Sequence, residues 1–356
     1  MPQSGYAYVA SQIAALIDRF NLHTSALQIM QTYALICRES LAFPPDSRPP
    51  DHSRINADGT PLQYAVTLGS PLPTLQFLGE AGGPGITGIE RLRVNRECIA
   101  AVAQQFHTTA ALTSVTPLLD ALAPETDVDL LADPGGAYWI GAAFSAGREP
   151  YLRIYINDRW GNGPDRWTRL SRFAAHFDGS QPWRENVTRL APSLQPLGTA
   201  ITFHDNHPPA GRIYLSAYGQ RMPFYEGLAE VYGGEAFMHQ LRAFGRCMLG
   251  DDYGYPTQTA VCSFGFGESP ALDFKFELCA HCLFASDTQA VSRLHTWFEG
   301  ARLNASGYED MLAILSEGYL SDKTLDLHCY VGVGLRQGAP YATIYLKPRF
   351  NAPWPQ

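Results

Sequence analysis

The feature that most constrains the fold of this chain is a hairpin pattern that occurs five times along the sequence. Each copy has two strand-like runs joined by a short turn rich in glycine or proline, which is the signal of a β-hairpin. Helical patterns lie between the hairpins, so the chain repeats an αββα unit with loops of variable length. The second runs align at the polar positions Gln76, Arg153, Arg212, Lys275 and Thr343, which are 77, 59, 63 and 68 residues apart.

The predicted elements follow this repeat from one end of the chain to the other. An N-terminal helical segment covers about residues 6–40, and Arg169 in a later helix is expected to be a surface cation. The other helical stretches lie at about 96–115, 165–176, 222–248 and 286–316. The ten predicted strands are 62–68, 74–80, 138–144, 151–156, 200–203, 212–217, 258–266, 272–278, 327–335 and 342–347.

The alternation within these strands predicts how the sheet closes. Successive side chains of a strand point to opposite faces. One face of each second strand is apolar, as at Phe77 and Ile154, whereas the other carries the aligned polar residues. Antiparallel strands of this kind close most readily into a barrel with a wet interior, since closure removes the edges. We therefore predict an α+β fold with one domain over residues 1–356: a ten-stranded antiparallel β-barrel of five αββα repeats, with the helices outside.

The inward face of this barrel has the groups needed to hold an anion. Arg153, Arg212 and Lys275 share one register, and guanidinium groups suit phosphate oxygens. Aromatic ring faces recur two residues further on and attract cations. A polar sheet face is commonly plain solvated surface, but recurrence at the same register favours a chamber for an allylic diphosphate and its carbocation. The tyrosines at this second register are Tyr155, Tyr214 and Tyr345.

Composition excludes several other classes of protein. The 34 acidic and 26 basic residues give a net charge of −8, which argues against nucleic-acid binding through phosphate contacts. The sequence has no run of 18 apolar residues that would predict a membrane span, and it begins without the pattern of a signal peptide. The seven scattered cysteines indicate reduced thiols and a cytoplasmic protein. We expect Cys279 and Cys282 to be buried core thiols and not metal ligands, because zinc requires four ligands.

The chain resembles the barrel aromatic prenyltransferases, in the indole or tryptophan dimethylallyl branch that includes bacterial members. The resemblance rests on the αββα repeats, on Arg153-Ile-Tyr155 and Arg212-Ile-Tyr214, and on Asp58-Gly-Thr-Pro-Leu-Gln-Tyr64. It covers nearly the whole chain in order of elements. It implies metal-independent transfer of a prenyl group to an electron-rich ring in secondary metabolism, without a cofactor. The implied partners are an indole acceptor and an allylic diphosphate, without nucleic acid or membrane, for a monomer or homodimer.

The resemblance also implies roles for individual residues. The three cations fall where the family grips the diphosphate, and the three tyrosines fall where it shields the allylic cation. Gln63 stands where the family usually has a Glu that binds the indole N–H; a Gln can accept that bond but cannot take the proton. Gln76 replaces a usual Arg of the diphosphate site, and Ala210 stands at a position that is often basic. The cradle therefore carries less charge than is usual in the family.

Further candidates, and two alternative functions, complete the sequence interpretation. Glu277 is in the inward register and is a candidate base or cation stabiliser, or a plain ion-pair partner. The change from Glu to Gln at position 63 favours an acceptor other than free tryptophan, such as a cyclised or modified indole. The alternatives are a cyclase or isomerase of a prenylated indole alkaloid, with Glu277 as the acid, and a non-catalytic barrel that binds an aromatic ligand. The candidate acceptor contacts are Leu62, Tyr64, Trp139 and Thr343, although core packing is the safer interpretation of Trp139.

Overall fold

Ten antiparallel strands close into a barrel in the computed structural model of the chain. Each strand pairs with its neighbours in sequence, and the first pairs with the last. The strands are β1 Leu62–Leu68, β2 Thr74–Gly79, β3 Tyr138–Ser145, β4 Tyr151–Asn157, β5 Gln195–Phe203, β6 Ala210–Ser216, β7 Ala260–Phe266, β8 Asp273–Cys279, β9 His328–Arg336 and β10 Ala339–Leu346. The structure describes residues 4–47, 49–50, 53–69, 73–86, 88–123, 138–157, 160–161, 163–177, 183, 192–204, 207–217, 219–267, 273–336 and 339–350.

Helices surround the barrel and alternate with its hairpins along the chain. The helices of the described part are α1 Gly5–Arg19, α2 Ala26–Cys37, α3 Gly88–Gln105, α4 Thr109–Leu122, α5 Gly163–Ala174, α6 Met222–Leu249, α7 Asp287–Ala301 and α8 Ser306–Ser316. Their apolar faces pack on the outward residues of the strands to form a continuous core. The predicted α+β architecture, a ten-stranded antiparallel barrel with the helices outside, is confirmed.

The exposure of the strand residues distinguishes the inward face of the sheet from the face that the helices cover. Along β2, β4 and β6, partly exposed residues alternate with buried ones from the first position. The buried set includes Phe77, Ile154 and Ile213, which lie under the helices. The partly exposed set includes Arg153 and Arg212, which lie on the inward face. The predicted register therefore places polar side chains in the barrel interior.

The predicted N-terminal segment, about 6–40, contains the two helices α1 and α2, and two later stretches are divided in the same way. The stretch at 96–115 is part of two helices, α3 and α4, separated near His107 at φ 58°. The stretch at 286–316 is also two helices, α7 and α8, and Arg302 ends α7 at φ 55°. A residue in the left-handed region ends a helix because the next peptide leaves the helical path.

Two expectations about single residues are wrong. Arg169 is not a surface cation: it is 3% exposed, and its guanidinium donates to the carbonyl oxygen of Trp160. Cys279 and Cys282 are not buried core thiols, because Cys279 is half-buried and Cys282 is exposed. The short 3-10 turn Ala280–Cys282 carries the second thiol away from the strand.

Candidate functional site

A chamber lies inside the barrel, between the inward faces of its strands. It consists of two adjoining cavities of about 860 Å³ and about 310 Å³. The residues that line both are Gln63, Leu78, Tyr155 and Tyr345. The larger cavity also reaches Trp139, Asn157, Thr199, Val261 and Tyr330.

Two arginines of neighbouring hairpins lie on the inward face of the barrel, and Arg153 lines the smaller cavity. Arg153 Nε donates to Thr202 Oγ1 at 2.8 Å. Arg212 NH1 donates to Ser263 Oγ at 2.9 Å, and its NH2 forms an ion pair with Asp273. Burial lowers the pKa of Arg212, but Asp273, Tyr341 and Tyr214 together outweigh it, so the pKa is raised overall. The nearby like charge of Arg153 acts to lower it. Both guanidinium groups are therefore charged, and Arg153 lies close enough to Arg212 to repel its charge.

Lys275 is the third cation of this cluster, and two neighbouring side chains contact its ammonium group. Its Nζ lies 2.6 Å from Glu277 Oε1 and donates to Tyr345 Oη at 2.7 Å. Burial lowers its pKa to about 8, and Glu277 opposes the fall, while Arg212 and Arg153 add to it. The three predicted cations therefore lie near one another on the inward face of the barrel, since Arg153 acts electrostatically on Arg212 and both arginines act on Lys275.

Tyrosines stand beside these cations. The rings of Tyr155 and Tyr214 are 6.1 Å apart, and those of Tyr330 and Tyr345 are 6.2 Å apart. The Arg153 guanidinium lies 5.5 Å from the ring of Tyr151. Burial raises the pKa of Tyr214 and Tyr345, so these hydroxyl groups are neutral at physiological pH. The chamber thus presents electron-rich ring faces without phenolate charge.

Two glutamines occupy the positions that depart from the family pattern. Gln63 lines both cavities, and its Nε2 donates to Asn56 Oδ1 at 3.0 Å. Gln76 lies beside Arg153 in the smaller cavity, and its Nε2 is 3.4 Å from Thr67 Oγ1. Both side chains are neutral, so neither adds charge to the cation cluster.

A buried carboxyl group lies behind the wall at Trp139. Glu80 is fully buried, with Oε1 at 3.3 Å from Arg91 NH1 and Oε2 accepting from Ser53 Oγ at 3.0 Å. Burial raises its pKa to about 7, and Arg91, Ser53 and the Trp139 indole oppose the rise. Because Trp139 lines the larger cavity, Glu80 lies one side chain away from the chamber.

The structure does not bring every predicted site residue into the chamber. Leu62 and Tyr64 flank Gln63 in the strand and therefore point to the opposite face, where both are fully buried. Tyr64 Oη donates to Gln12 Oε1 of α1 at 3.4 Å. The prediction that these two residues contact a ligand is wrong, because neighbouring strand residues cannot share a face. Thr343 does share the inward face, opposite Thr67, and is buried.

Sequence reasoning also missed several residues of the chamber. Tyr151 and Asp273 lie two residues before Arg153 and Lys275, so the same alternation would have found them. Tyr330 faces Tyr345 across the β9–β10 ladder, a pairing that was predictable from the hairpin. Asn56 lies in a loop, where no periodic pattern marks it.

The described residues contain no group of three or more His, Cys, Asp or Glu side chains placed to bind a metal ion. None of the helices in the described ranges is long and apolar enough to cross a membrane. What the chamber does offer is a buried cation cluster, two carboxylates paired with it, and neutral aromatic faces. Such an arrangement can bind an oxygen anion and stabilise positive charge next to it.

Comparison with known proteins gives the same fold. No protein-family model and no curated protein matches the sequence. Among solved structures, 6-dimethylallyltryptophan synthase from Micromonospora olivasterospora, in complex with DMASPP and Trp, superposes at a TM-score of 0.82 with 18% identity, over 99% of this chain and 100% of that one. The 5-dimethylallyltryptophan synthase from Streptomyces coelicolor gives 0.80 with 20% identity and 99% coverage of both chains. AnaPT from Neosartorya fischeri gives 0.73 with 12% identity, over 98% of this chain and 94% of that one. The resemblance predicted from the repeats is confirmed at the level of the fold: this chain has the barrel of these prenyltransferases.

Proposed function

We propose that this protein transfers a prenyl group from an allylic diphosphate to an indole-containing small molecule. The observation that carries the proposal is the cluster of Arg153, Arg212 and Lys275 beside tyrosine rings inside a closed barrel. Support also comes from the solved structures of this fold that hold DMASPP and tryptophan. We propose that this reaction belongs to secondary metabolism, as the resemblance of the sequence implies.

The cations act on the leaving group. The bond between the prenyl carbon and the diphosphate oxygen breaks, and the diphosphate keeps the electron pair. Guanidinium and ammonium groups that are already in place stabilise this developing negative charge without reorganising. The rings of Tyr155, Tyr214 and Tyr345 flank the allylic cation and exclude water from it. These side-chain cations neutralise the charge of the leaving diphosphate, as a metal ion does in other enzymes, so we propose that no metal is needed.

Two residues act on the acceptor. Gln63 accepts a hydrogen bond from the indole N–H through its Oε1 and so orients the ring towards the prenyl carbon. The ring attacks the allylic cation to form a carbon–carbon bond and then loses a proton. Glu277 lines the same cavity as Gln63 and is the carboxylate that we propose accepts this proton.

The direct test is incubation with dimethylallyl and geranyl diphosphates against a panel of indoles, followed by mass spectrometry. The panel should contain tryptophan, because related structures hold it, and cyclised or modified indoles, because Gln63 replaces the usual Glu. A product heavier by one prenyl group, formed equally well with and without EDTA, supports the proposal. Loss of product in EDTA would contradict its metal-independent part alone.

Binding measurements separate this function from the two alternatives. A thio-diphosphate analogue of the donor should bind to the unmodified protein in a calorimeter. Failure to bind it would favour a cyclase or isomerase on the same barrel, or a non-catalytic aromatic-binding chamber. Turnover of a preformed prenylated indole would then distinguish the cyclase or isomerase from the binding protein.

A further inference from the structure

A buried amide network surrounds the side-chain nitrogen of Gln63. Asn56 lies in the loop before β1 and is 6% exposed. Its Nδ2 donates to the carbonyl oxygens of Thr60 at 2.8 Å and Leu62 at 2.9 Å, so both of its N–H groups are used. Its Oδ1 points the other way and accepts from Gln63 Nε2 at 3.0 Å.

Cys329 of β9 is the other member of this network. Its thiol donates to the same Asn56 oxygen at 3.1 Å. Burial raises the pKa of this thiol, and the Gln63 amide beside it is among the groups that oppose the rise. Asn56 thereby joins the loop before β1 to a strand 273 residues further along the chain.

The orientation of both amide groups follows from these partners. Backbone carbonyl oxygens can only accept hydrogen bonds, so the nitrogen of Asn56 must face Thr60 and Leu62. The oxygen of Asn56 then requires a donor, and Gln63 must offer its nitrogen. Among the described residues no donor reaches Gln63 Oε1, and the side chain lines both cavities.

We propose that Asn56 is a positioning residue that holds Gln63 with its carbonyl oxygen turned into the chamber. The acceptor site then selects a ring that carries an N–H over the same ring without one. This inference rests on the proposed function and names the feature of the acceptor that the site recognises. It also explains why position 63 is Gln and not Glu in this chain.

A Glu at position 63 would not fit this network. Its carboxylate has no N–H to donate, and it would place negative charge against Asn56 Oδ1. Gln63→Glu, which introduces the residue usual in the family, should therefore weaken acceptor binding in this protein. Improved binding by this variant would overturn the inference.

The main experiment compares an indole with its N1-methyl analogue by calorimetry, with the thio-diphosphate analogue present. The unmodified protein should bind the N–H compound roughly 5- to 150-fold more tightly, the effect of one hydrogen bond to a buried group. In Asn56→Ala this ratio should fall towards one, while affinity for the thio-diphosphate analogue stays unchanged. Cys329→Ala is the matched control, since it removes the other partner of Asn56 Oδ1 and leaves the Gln63 contact.

The outcomes separate the inference from the function on which it rests. An unmodified protein that binds both compounds equally, or an Asn56→Ala variant that retains the ratio, overturns the role of Asn56 and leaves prenyl transfer standing. A protein that binds neither compound overturns the proposed function, and with it the acceptor site. If Asn56→Ala does not fold, the Gln63→Glu variant decides, because its side chain has nearly the same size.

Discussion

At the scale of single residues, the charges of the chamber are matched in pairs, and this sets how the site responds to an incoming anion. Lys275 forms an ion pair with Glu277, and Arg212 forms one with Asp273. Arg153 contacts hydroxyl groups instead. On the proposed function, a diphosphate would have to compete with Asp273 for Arg212, whereas at Arg153 it would displace only neutral partners. We therefore expect Asp273 to weaken diphosphate binding.

This pairing predicts how charge substitutions combine. Arg212→Ala should weaken binding of the thio-diphosphate analogue about 10- to 150-fold, because a hydrogen bond to a charged group contributes about 1.5–3 kcal/mol. Arg153→Ala should do the same. Asp273→Asn should strengthen binding, and combining it with Arg212→Ala should recover part of the loss, since the freed carboxylate is then absent.

Titration of the same ligand against each variant measures these effects. Arg96→Ala is the control, because Arg96 is an exposed cation of α3 and its removal should change nothing. If Arg153→Ala and Arg212→Ala both bind the analogue like the unmodified protein while remaining folded, the cluster is not a phosphate site.

The lowered pKa of Lys275 predicts that kcat/KM for the prenyl donor depends on pH. Its pKa is lowered to about 8 by burial, and the anion needs its protonated form. The kcat/KM for the donor should therefore be level below pH 8 and fall as the pH rises through this value, because kcat/KM reports the free enzyme. Lys275→Arg should abolish the fall, since a guanidinium stays charged. A pH profile that is identical in the two proteins would assign the titration to another group.

At the scale of elements, the strands were predictable from the sequence and the helix ends were not. The alternation around Arg153 and Arg212 identified hairpins, register and inward face together, because strand geometry ties these three to one period. The breaks at His107 and Arg302 were missed because left-handed helix ends are usually marked by glycine, which neither position has. Asn56 was missed for a different reason: its partners come from β1 and β9, and no local pattern encodes such a contact.

The longest helix contains a break that predicts the effect of one substitution. Within α6, Gly234 has φ 77° and ψ 175°, a conformation that is essentially restricted to glycine. Gly234→Ala should destabilise the protein by about 1–3 kcal/mol through backbone strain alone, since a new Cβ would meet nothing within 4 Å. Urea unfolding measures this loss.

Gly227 provides the control within the same helix. A Cβ at this position also meets nothing within 4 Å, and its φ is not positive. Gly227→Ala should therefore stabilise the protein by about 0.4–1 kcal/mol, as alanine does in an ordinary helix position. If both substitutions shift the unfolding midpoint in the same direction, strain at Gly234 is not what determines its stability.

At the scale of the whole molecule, the barrel closes only when the two ends of the sheet meet. β1 and β10 pair directly, and a buried ion pair joins the loop before β1 to the residue after β10. Lys347 Nζ lies 2.5 Å from Asp58 Oδ2, across 289 residues of sequence. Burial alone would raise the pKa of Asp58, but Lys347 and the Thr60 N–H outweigh it, so the pKa is lowered. The contact therefore stabilises the seam of the barrel as a charged pair.

Breaking this pair should destabilise the closed barrel more than its single contact suggests. Lys347→Met leaves a buried carboxylate without its cation and should lower the free energy of unfolding by about 3–5 kcal/mol, whereas Lys347→Met with Asp58→Asn should lose much less, because no uncompensated charge remains. Because the pKa of Asp58 is lowered in the fold, its ionised form contributes to stability above about pH 4, and this contribution is lost as the pH falls. The stability of the double variant should therefore depend less on pH in this acid range. Arg93→Met, which breaks exposed ion pairs of α3, should change little. Urea unfolding of the unmodified protein, of Lys347→Met and Asp58→Asn alone and of the double variant gives the coupling between Asp58 and Lys347. Strictly additive losses would show that the ion pair does not hold the seam.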